Sequence, residues 1–172
     1  MVYFAAIKRV IKNHKNLNPD KIAKEVLNGN GIPEQIIEMN KNQMYNDGVN
    51  ADGNSLGQYS PATIYGTLTF KGKIAKGQPY EHVTLYDTGT FYSSFKTKSV
   101  AGGLLLTANT LKGGGNINIT SPIGEQSTVD IEGEDLEMRY GKLVGLIPEN
   151  KNRLIKLILP NVRELTLSQI LK

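Results

Sequence analysis

The stretch FYSSFKTKSVAGGLLLTANT, residues 91–110, decides the fold class. Its first half alternates, so that four side chains share one face of an extended segment: Phe91, Ser93, Phe95 and Thr97. Gly102 and Gly103 then allow a tight bend before a second apolar segment, residues 104–110. The stretch therefore predicts an antiparallel β-hairpin whose bend lies at the two glycines.

Two further strands are predicted around this hairpin. Residues 82–85 precede the turn Asp87-Thr88-Gly89, and residues 116–120 follow a run of three glycines with Ile117 and Ile119 in alternation. Residues 46–61 consist almost entirely of turn-forming residues, so we expect no packed element there. The centre of the chain is thus predicted to be an antiparallel β-sheet with long Gly-rich loops.

Helices are predicted on both sides of the sheet. Apolar residues spaced three and four apart predict helices over residues 2–14, 19–27 and 33–45. After the sheet, an acidic segment predicts a short helix within residues 132–141, and a last amphipathic region begins at residue 150. We expect Pro160 to break that region and a terminal helix to start at Asn161.

These elements predict an α+β fold: N-terminal helices, the antiparallel sheet, then C-terminal helices. We predict a single domain over residues 1–172, with a helical region at 1–45, a loop-rich segment at 46–80, the sheet core at 81–131 and C-terminal helices at 132–172. The chain has 39% hydrophobic residues, which is enough for the core of one domain.

Composition excludes several kinds of site. The chain has no cysteine, which rules out disulfides, thiolate metal sites and cysteine nucleophiles. Only two histidines are present, so a zinc site would need both of them and a carboxylate. We therefore expect no metal and no cofactor. No apolar run approaches the length of a membrane span, and we expect an unexported protein without membrane contact.

Four short strings match catalytic or ion-binding motifs but lack the structural context that each motif requires. Gly53-Asn54-Ser55-Leu56-Gly57 has turn residues where a nucleophile elbow needs a strand and a helix. Asp87-Thr88-Gly89 occurs once, whereas an aspartic protease needs two facing copies. An EF-hand in register with Asp52 would have Tyr59 at the bidentate position, and Gly72-Lys73 lacks phosphate-loop spacing. We expect no catalytic residue and no enzymatic activity.

Charge is distributed unevenly along the chain. Basic residues are in excess over residues 1–100 and 149–172, and acidic residues over 101–148. Lysines at 8–24 and in the loop with Lys71, Lys73 and Lys76 could face phosphate or an acidic partner, although solvated surface is the commoner explanation. Scattered lysines favour weak, sequence-independent DNA contact, and we place these three loop lysines in that role.

The middle of the chain resembles a known family through a series of spaced residues. The series is Tyr45-x-x-Gly48, Asp52-x-x-Ser55-Leu56-x-x-Tyr59-Ser60, Lys76-Gly77-x-Pro79, Thr84-Leu85-x-Asp87-Thr88-Gly89-x-Phe91-Tyr92-x-Ser94-Phe95, Tyr140-Gly141, Gly145-Leu146 and Leu159-Pro160. Over about residues 43–160 it is similar to the head-to-tail connector and tail-completion proteins of tailed bacteriophages, particularly those of Bacteroidetes phages.

The resemblance implies a structural virion protein. Such a protein forms a homo-oligomeric ring below the portal, twelvefold or sixfold, around the DNA channel of the neck, and it has no enzymatic site. Its partners would be further copies of itself, the portal, other neck or tail proteins and, weakly, packaged DNA. It would reside in the virion neck or tail, and in the host cytoplasm during assembly.

With the resemblance, three features of the sequence predict the subunit interface. These are the polar loops 46–57 and 112–115, the acidic stretch 132–137 opposite the basic terminal helices, and a C-terminal helix that is apolar over more than one face. The residues placed at the interface are Leu85, Asp87, Thr88, Phe91, Tyr92, Glu134, Asp135, Leu165 and Leu171.

Two other functions stay open at this point. The first is a non-specific nucleic-acid-binding accessory protein, although no recognition motif is visible and the aromatic residues do not interleave with the lysines in the sequence. The second is a hydrolase that uses Ser55 or Asp87. Self-association separates the ring protein from the accessory protein.

Overall fold

The computed structural model describes residues 2–29, 31–100, 103–112, 115–120, 126–131 and 134–171. Seven α-helices and six strands occur in these residues. The helices are α1 (Val2–Lys15), α2 (Pro19–Asn28), α3 (Ile32–Tyr45), α4 (Pro61–Tyr65), α5 (Thr90–Ser93), α6 (Leu136–Tyr140) and α7 (Pro148–Leu171), with a 3₁₀-helix at Ile74–Lys76. The strands are β1 (Lys96–Val100), β2 (Gly103–Thr107), β3 (Leu111–Lys112), β4 (Gly115–Thr120), β5 (Gln126–Ile131) and β6 (Glu134–Asp135). The predicted α+β class, with helices at both ends, is confirmed.

The described strands form three antiparallel pairs, β1 with β2, β3 with β6 and β4 with β5. The first pair is the predicted hairpin, whose register runs from Lys96 opposite Thr107 to Val100 opposite Gly103. The hairpin starts later than predicted, because Phe91 lies in α5. The strand predicted at 116–120 is confirmed as part of β4.

Contacts group the chain into two compact units. The first comprises Met1–Met39, Lys96–Thr107 and Leu146–Lys172, and the second Asn40–Phe95 and Ala108–Gly145. The single-domain organisation stays a prediction.

The first unit packs helices on the β1–β2 hairpin. Its buried core consists of Ile32, Ile36 and Met39 from α3 with Leu146, and partly buried apolar residues surround them: Leu27, Leu104, Leu106, Leu154 and Ile158. Leu104 and Leu106 face this core whereas Leu105 between them is 49% exposed, as strand alternation requires. Helix α7 also packs on α1 and α2.

The second unit has a core of aromatic and amide side chains. Tyr45, Tyr86 and Tyr92 meet edge to face, with ring centroids 5.4–6.2 Å apart. Asn40, which is fully buried, donates to the Leu143 carbonyl and accepts from the Gly145 N–H, both at 3.0 Å. These side chains give irregular backbone its hydrogen bonds where no strand partner is available.

Capping side chains set the starts of three helices, including α4, which was not predicted from the sequence. Asn18 accepts from the Lys21 N–H at 3.0 Å with Pro19 in the first turn, and Ser60 accepts from the Thr63 N–H at 3.3 Å with Pro61 next to it. Helix α6 is capped by Asp135, and the Gly141 N–H bonds to the Glu137 carbonyl at its end.

Two element predictions are wrong. Residues 82–85 form no strand, because Leu85 has a left-handed φ of 55° that interrupts extended backbone. Pro160 does not break the last helix, because α7, which is 24 residues long, continues through it. Packing on α1 and α2 holds this helix together although one backbone donor is missing.

The expectation that residues 46–61 form no packed structure is also wrong. Asn50, Ala51 and Leu56 in this segment are buried. Their backbone is bonded within the second unit: the Ala51 N–H donates to the Lys142 carbonyl and the Leu56 N–H to the Gly48 carbonyl, both at 2.8 Å. The loop is therefore not free to extend towards a neighbouring subunit. Of the second loop, 112–115, residues 113 and 114 lie outside the described residues.

Candidate functional site

A cleft of about 480 Å³ opens in the second unit. Seven of the residues predicted from the sequence line it: Lys71, Lys73, Lys76, Leu85, Asp87, Thr88 and Phe91. The structure thus brings the predicted DNA-facing lysines and part of the predicted interface into one place. Leu165 and Leu171 lie in the other unit, on α7.

A short loop between α4 and the 3₁₀-helix forms one edge of the cleft. Gly66 and Gly72 approach so closely that a Cβ on Gly72 would collide with the backbone of Tyr65 and Gly66. Hydrogen bonds from the Thr67 N–H to the Phe70 carbonyl and from the Lys73 N–H to the Thr63 carbonyl, both 3.0 Å, close the loop. This geometry fixes the backbone of the cleft residues that follow Phe70.

Lys73 is 5% exposed, which is rare for a lysine. Its ammonium donates to the Gln78 side-chain oxygen at 2.9 Å and to the Tyr86 carbonyl, and it lies 4.9 Å from the centre of the Tyr59 ring. All of these partners are neutral, and among the described residues no carboxylate lies within ion-pair distance. Lys73 is therefore a buried cation held by dipoles, and we withdraw it from the DNA-facing residues.

Lys76 and Asp87 form an ion pair across the mouth of the cleft, with Nζ and Oδ1 2.5 Å apart. The hydrogen bond from Lys76 is the main cause that holds the pKa of Asp87 below its ordinary value of 3.8. Both side chains are largely exposed, at 37% and 55%, so the pair contributes about 1 kcal/mol or less to stability. Asp87 is therefore ion-paired with Lys76 on the surface of the cleft.

Leu85 owes its left-handed backbone to a hydrogen-bond network around Thr84. The Tyr59 hydroxyl lies 3.0 Å from the Thr84 hydroxyl and accepts from the Thr84 N–H at 3.0 Å, while the Tyr92 hydroxyl donates to the Thr84 carbonyl at 2.5 Å. A leucine with positive φ is strained, and strain of this kind persists where surrounding contacts fix it. The network therefore holds Leu85 in the cleft wall.

Tyr92 belongs to the core and not to an exposed interface. It is 8% exposed, and burial raises the pKa of its hydroxyl well above 10.0. Asp135 is likewise used within the chain, because its carboxylate accepts from the Glu137 N–H at 3.0 Å and caps α6. Glu134 pairs with Lys112 through the backbone of β6 and β3. Its side chain and all of residue 132 lie outside the described residues.

Helix α7 carries the second candidate feature. None of its residues is buried, although it is 24 residues long. Five exposed side chains follow one another at four-residue spacing, four of them apolar and one an arginine, and we call them the α7 row: Ile155, Leu159, Arg163, Leu167 and Leu171. The apolar members are 46–64% exposed. Leu165, predicted at an interface, is half-buried and faces α2, where it lines a small pocket together with Val26 and Gly29.

Ser55, from the string that matches a nucleophile elbow, and His82, one of the two histidines, both have structural partners. Ser55 Oγ accepts from the Gly57 N–H at 3.1 Å, and His82 Nε2 lies 3.0 Å from the Tyr45 carbonyl. Across the described residues, no group of three acidic or histidine side chains could hold a metal ion, and no helix is both long and apolar enough to span a membrane.

Sequence reasoning missed how the cleft is assembled. Tyr59, Phe70, Leu111, Leu136 and Tyr140 line it together with the lysines, although up to 81 positions separate them. The sequence shows no interleaving of aromatic and basic residues, because folding creates it. No local signal could have identified this site.

Comparisons with protein-family models, curated proteins and solved structures gave no match to this chain.

Proposed function

We propose that this chain is a structural subunit of a tailed-bacteriophage neck, where copies of it form a ring that joins head to tail around the DNA channel. The ring would be twelvefold or sixfold and would contact the portal and neighbouring neck or tail proteins. The proposal includes no enzymatic activity and no cofactor. It rests on the resemblance over about residues 43–160 and on one structural observation, the α7 row.

The α7 row has the properties of an unpartnered helix interface. Side chains spaced four apart form the ridge that packs into the groove of another helix. Successive members are rotated by about 40° around the helix, so one partner helix would cover two or three of them, and burying the exposed part of two apolar members would contribute about 2–3 kcal/mol per subunit. Arg163 interrupts the ridge with a charge, which favours one register and an acidic contact on the partner.

The partner to which this proposal commits is a second copy of the chain. Ile7 and Ile11 on α1 are 55% and 51% exposed, also at four-residue spacing. Each copy thus offers two exposed apolar ridges on different helices. Contact between the α1 ridge of one copy and the α7 row of the next is heterologous, and such contacts close into a ring when the rotation permits.

The decisive experiment measures how many copies of the chain each virion contains and where in the virion they lie. We expect several copies per assembled virion, located at the neck, and a ring when the purified chain is mixed with the portal protein of the same virus. Native mass spectrometry and electron microscopy would give both quantities. A single copy per virion, or a position away from the DNA channel, would contradict the proposal.

Matched variants link the ring to α7. Leu159→Gln combined with Leu167→Gln should abolish ring formation while circular dichroism stays unchanged. Met138→Gln in the second unit is the control, because Met138 is 83% exposed and lies outside α7. Equal loss of assembly in the control would show that the α7 row is not the interface.

The nucleic-acid-binding accessory protein remains the second candidate. Exposed basic residues on α1 favour it, since Lys8, Arg9, Lys12 and Lys15 are all exposed on a helix without acidic residues. This candidate predicts tight DNA binding by a monomer, and the salt titration argued in the Discussion tests it.

A further inference from the structure

We propose that the cleft of the second unit binds a small organic anion that joins an aromatic ring to a phosphate group, the chemistry of a nucleoside monophosphate. This inference is independent of the proposed ring, because it rests on residues outside α7.

The cleft lining carries an excess of positive charge. Its described lining contains five basic side chains and one carboxylate, Asp87, which Lys76 already neutralises in part. Lys73 adds a buried positive charge whose partners are neutral oxygens and a tyrosine ring. Lys73 has no carboxylate within ion-pair distance, and Asp87 attracts it only over a longer range, so an anion that enters the cleft meets a positive field already in place.

The cleft lining also has an apolar part. Phe70 and Phe91 line the same cleft as the lysines, and Val83, Leu85, Leu111 and Leu136 line it too. Aromatic walls favour planar rings through stacking, whereas lysines favour the phosphate as point charges. A ligand that carries both groups uses the whole cleft, and inorganic phosphate alone would use only the cationic part.

The cleft is large enough for one nucleotide, and its walls are rigid. About 480 Å³ lies within the range of small-molecule sites and accommodates one nucleotide. The walls are pre-formed, since the Gly66–Gly72 approach fixes one edge and the network around Thr84 fixes another. Pre-formed walls reduce the ordering cost of binding.

The test titrates the full chain with AMP as the probe at fixed ionic strength. Calorimetry and the amide chemical shifts of the protein measure the binding. We expect saturable binding of one AMP per chain, with the largest shifts at the cleft residues. Adenosine and inorganic phosphate should each bind at least about tenfold more weakly, since each lacks one half of the recognised chemistry.

Two charge-removing variants should move the affinity in opposite directions, which a folding defect cannot do. Lys76→Gln should weaken AMP binding about tenfold, and Asp87→Asn should strengthen it severalfold because the only described carboxylate of the cleft is removed. Lys142→Gln, an exposed change outside the described lining, is the control for net charge.

Four results would overturn the inference. These are the absence of saturable AMP binding at millimolar concentration, equal binding of inorganic phosphate, an equal effect of Lys142→Gln, and tighter binding of an acidic aromatic peptide than of AMP. The last result would assign the cleft to a protein partner. Because all three variants leave α7 intact, failure here would leave the ring proposal standing.

Discussion

Asn50 shows how one polar side chain can organise a loop that looks unstructured in the sequence. It is 3% exposed, donates to the Tyr140 carbonyl at 2.9 Å and accepts from the N–H groups of Asp52 and Asn54 at 3.0 and 2.9 Å. A single side chain therefore ties the loop to the end of α6. Buried amides of this kind make the loop part of the core.

Replacing Asn50 tests that role directly. Asn50→Ala removes three hydrogen bonds and leaves a carbonyl and two N–H groups without a partner, so the free energy of unfolding should fall by about 2–4 kcal/mol. Urea denaturation measures the change. Asn54→Ala, at an exposed position of the same loop, should cost about 0.5 kcal/mol or less. Similar losses in both variants would contradict the assigned role.

Tyr92 gives the second unit a pH dependence. Burial raises the pKa of its hydroxyl above 10.0, so the folded chain retains a proton that the unfolded chain releases in alkali. Stability is therefore unaffected by this group below about pH 10 and declines as the pH rises beyond it. Tyr92→Phe should cost about 1 kcal/mol at neutral pH, through the lost bond to the Thr84 carbonyl.

The same variant should also make the alkaline decline shallower. Denaturation curves recorded from neutral pH to about pH 11 would show both effects. Tyr80→Phe is the control, because Tyr80 is 43% exposed. An unchanged alkaline slope in Tyr92→Phe would show that Tyr92 does not carry the pH dependence.

Helix α7 is the element in which local propensity and tertiary packing disagree. Pro160 lies at its centre, cannot donate to the carbonyl four residues earlier and crowds that carbonyl with its ring. The helix continues nevertheless, because residues before and after Pro160 pack on α1, α2 and the core. The proline therefore weakens a helix that its neighbours hold in place.

Pro160→Ala should raise the stability of the chain. The restored hydrogen bond and the relieved contact should add about 1–3 kcal/mol to the free energy of unfolding. Thermal and urea denaturation measure the gain. Asn152→Ala, at an exposed position of the same helix, corrects for propensity and should change stability by about 0.5 kcal/mol or less. No gain beyond that of the control would show that the proline is accommodated without cost.

Elements governed by nearby residues were predictable, and those governed by distant ones were not. The first three helices and the β1–β2 hairpin follow from apolar spacing, caps and glycines within a few positions. The burial of Asn50 depends on Tyr140, 90 positions later, and the course of α7 depends on helices at the start of the chain. The cleft could not be predicted for the same reason, because its aromatic and basic side chains come together only after folding.

At the scale of the whole molecule, the number of exposed basic side chains sets how strongly the proposed ring protein would bind DNA. Helix α1 has exposed basic side chains and no acidic residue, and Lys71 in the cleft is exposed as well. Lys73 is buried and Lys76 is paired with Asp87, so fewer cations are available than the sequence predicts. The proposed ring surrounds a channel through which DNA moves. Its phosphate contacts should be few and weak, because tight contacts would stall that movement.

We therefore expect DNA binding to be weak, independent of sequence and steeply dependent on salt. With about three phosphates neutralised, the logarithmic slope would be about −2.7, and raising salt from about 50 to 200 mM would weaken binding roughly 40-fold. Fluorescence anisotropy with two unrelated duplexes measures this. Lys8→Gln with Lys12→Gln should reduce the slope by about 2, whereas Lys142→Gln should leave it unchanged. Tight and equal binding of both duplexes at about 150 mM salt by a monomer would instead support the non-specific accessory protein, because such a protein must keep its phosphate contacts at physiological salt.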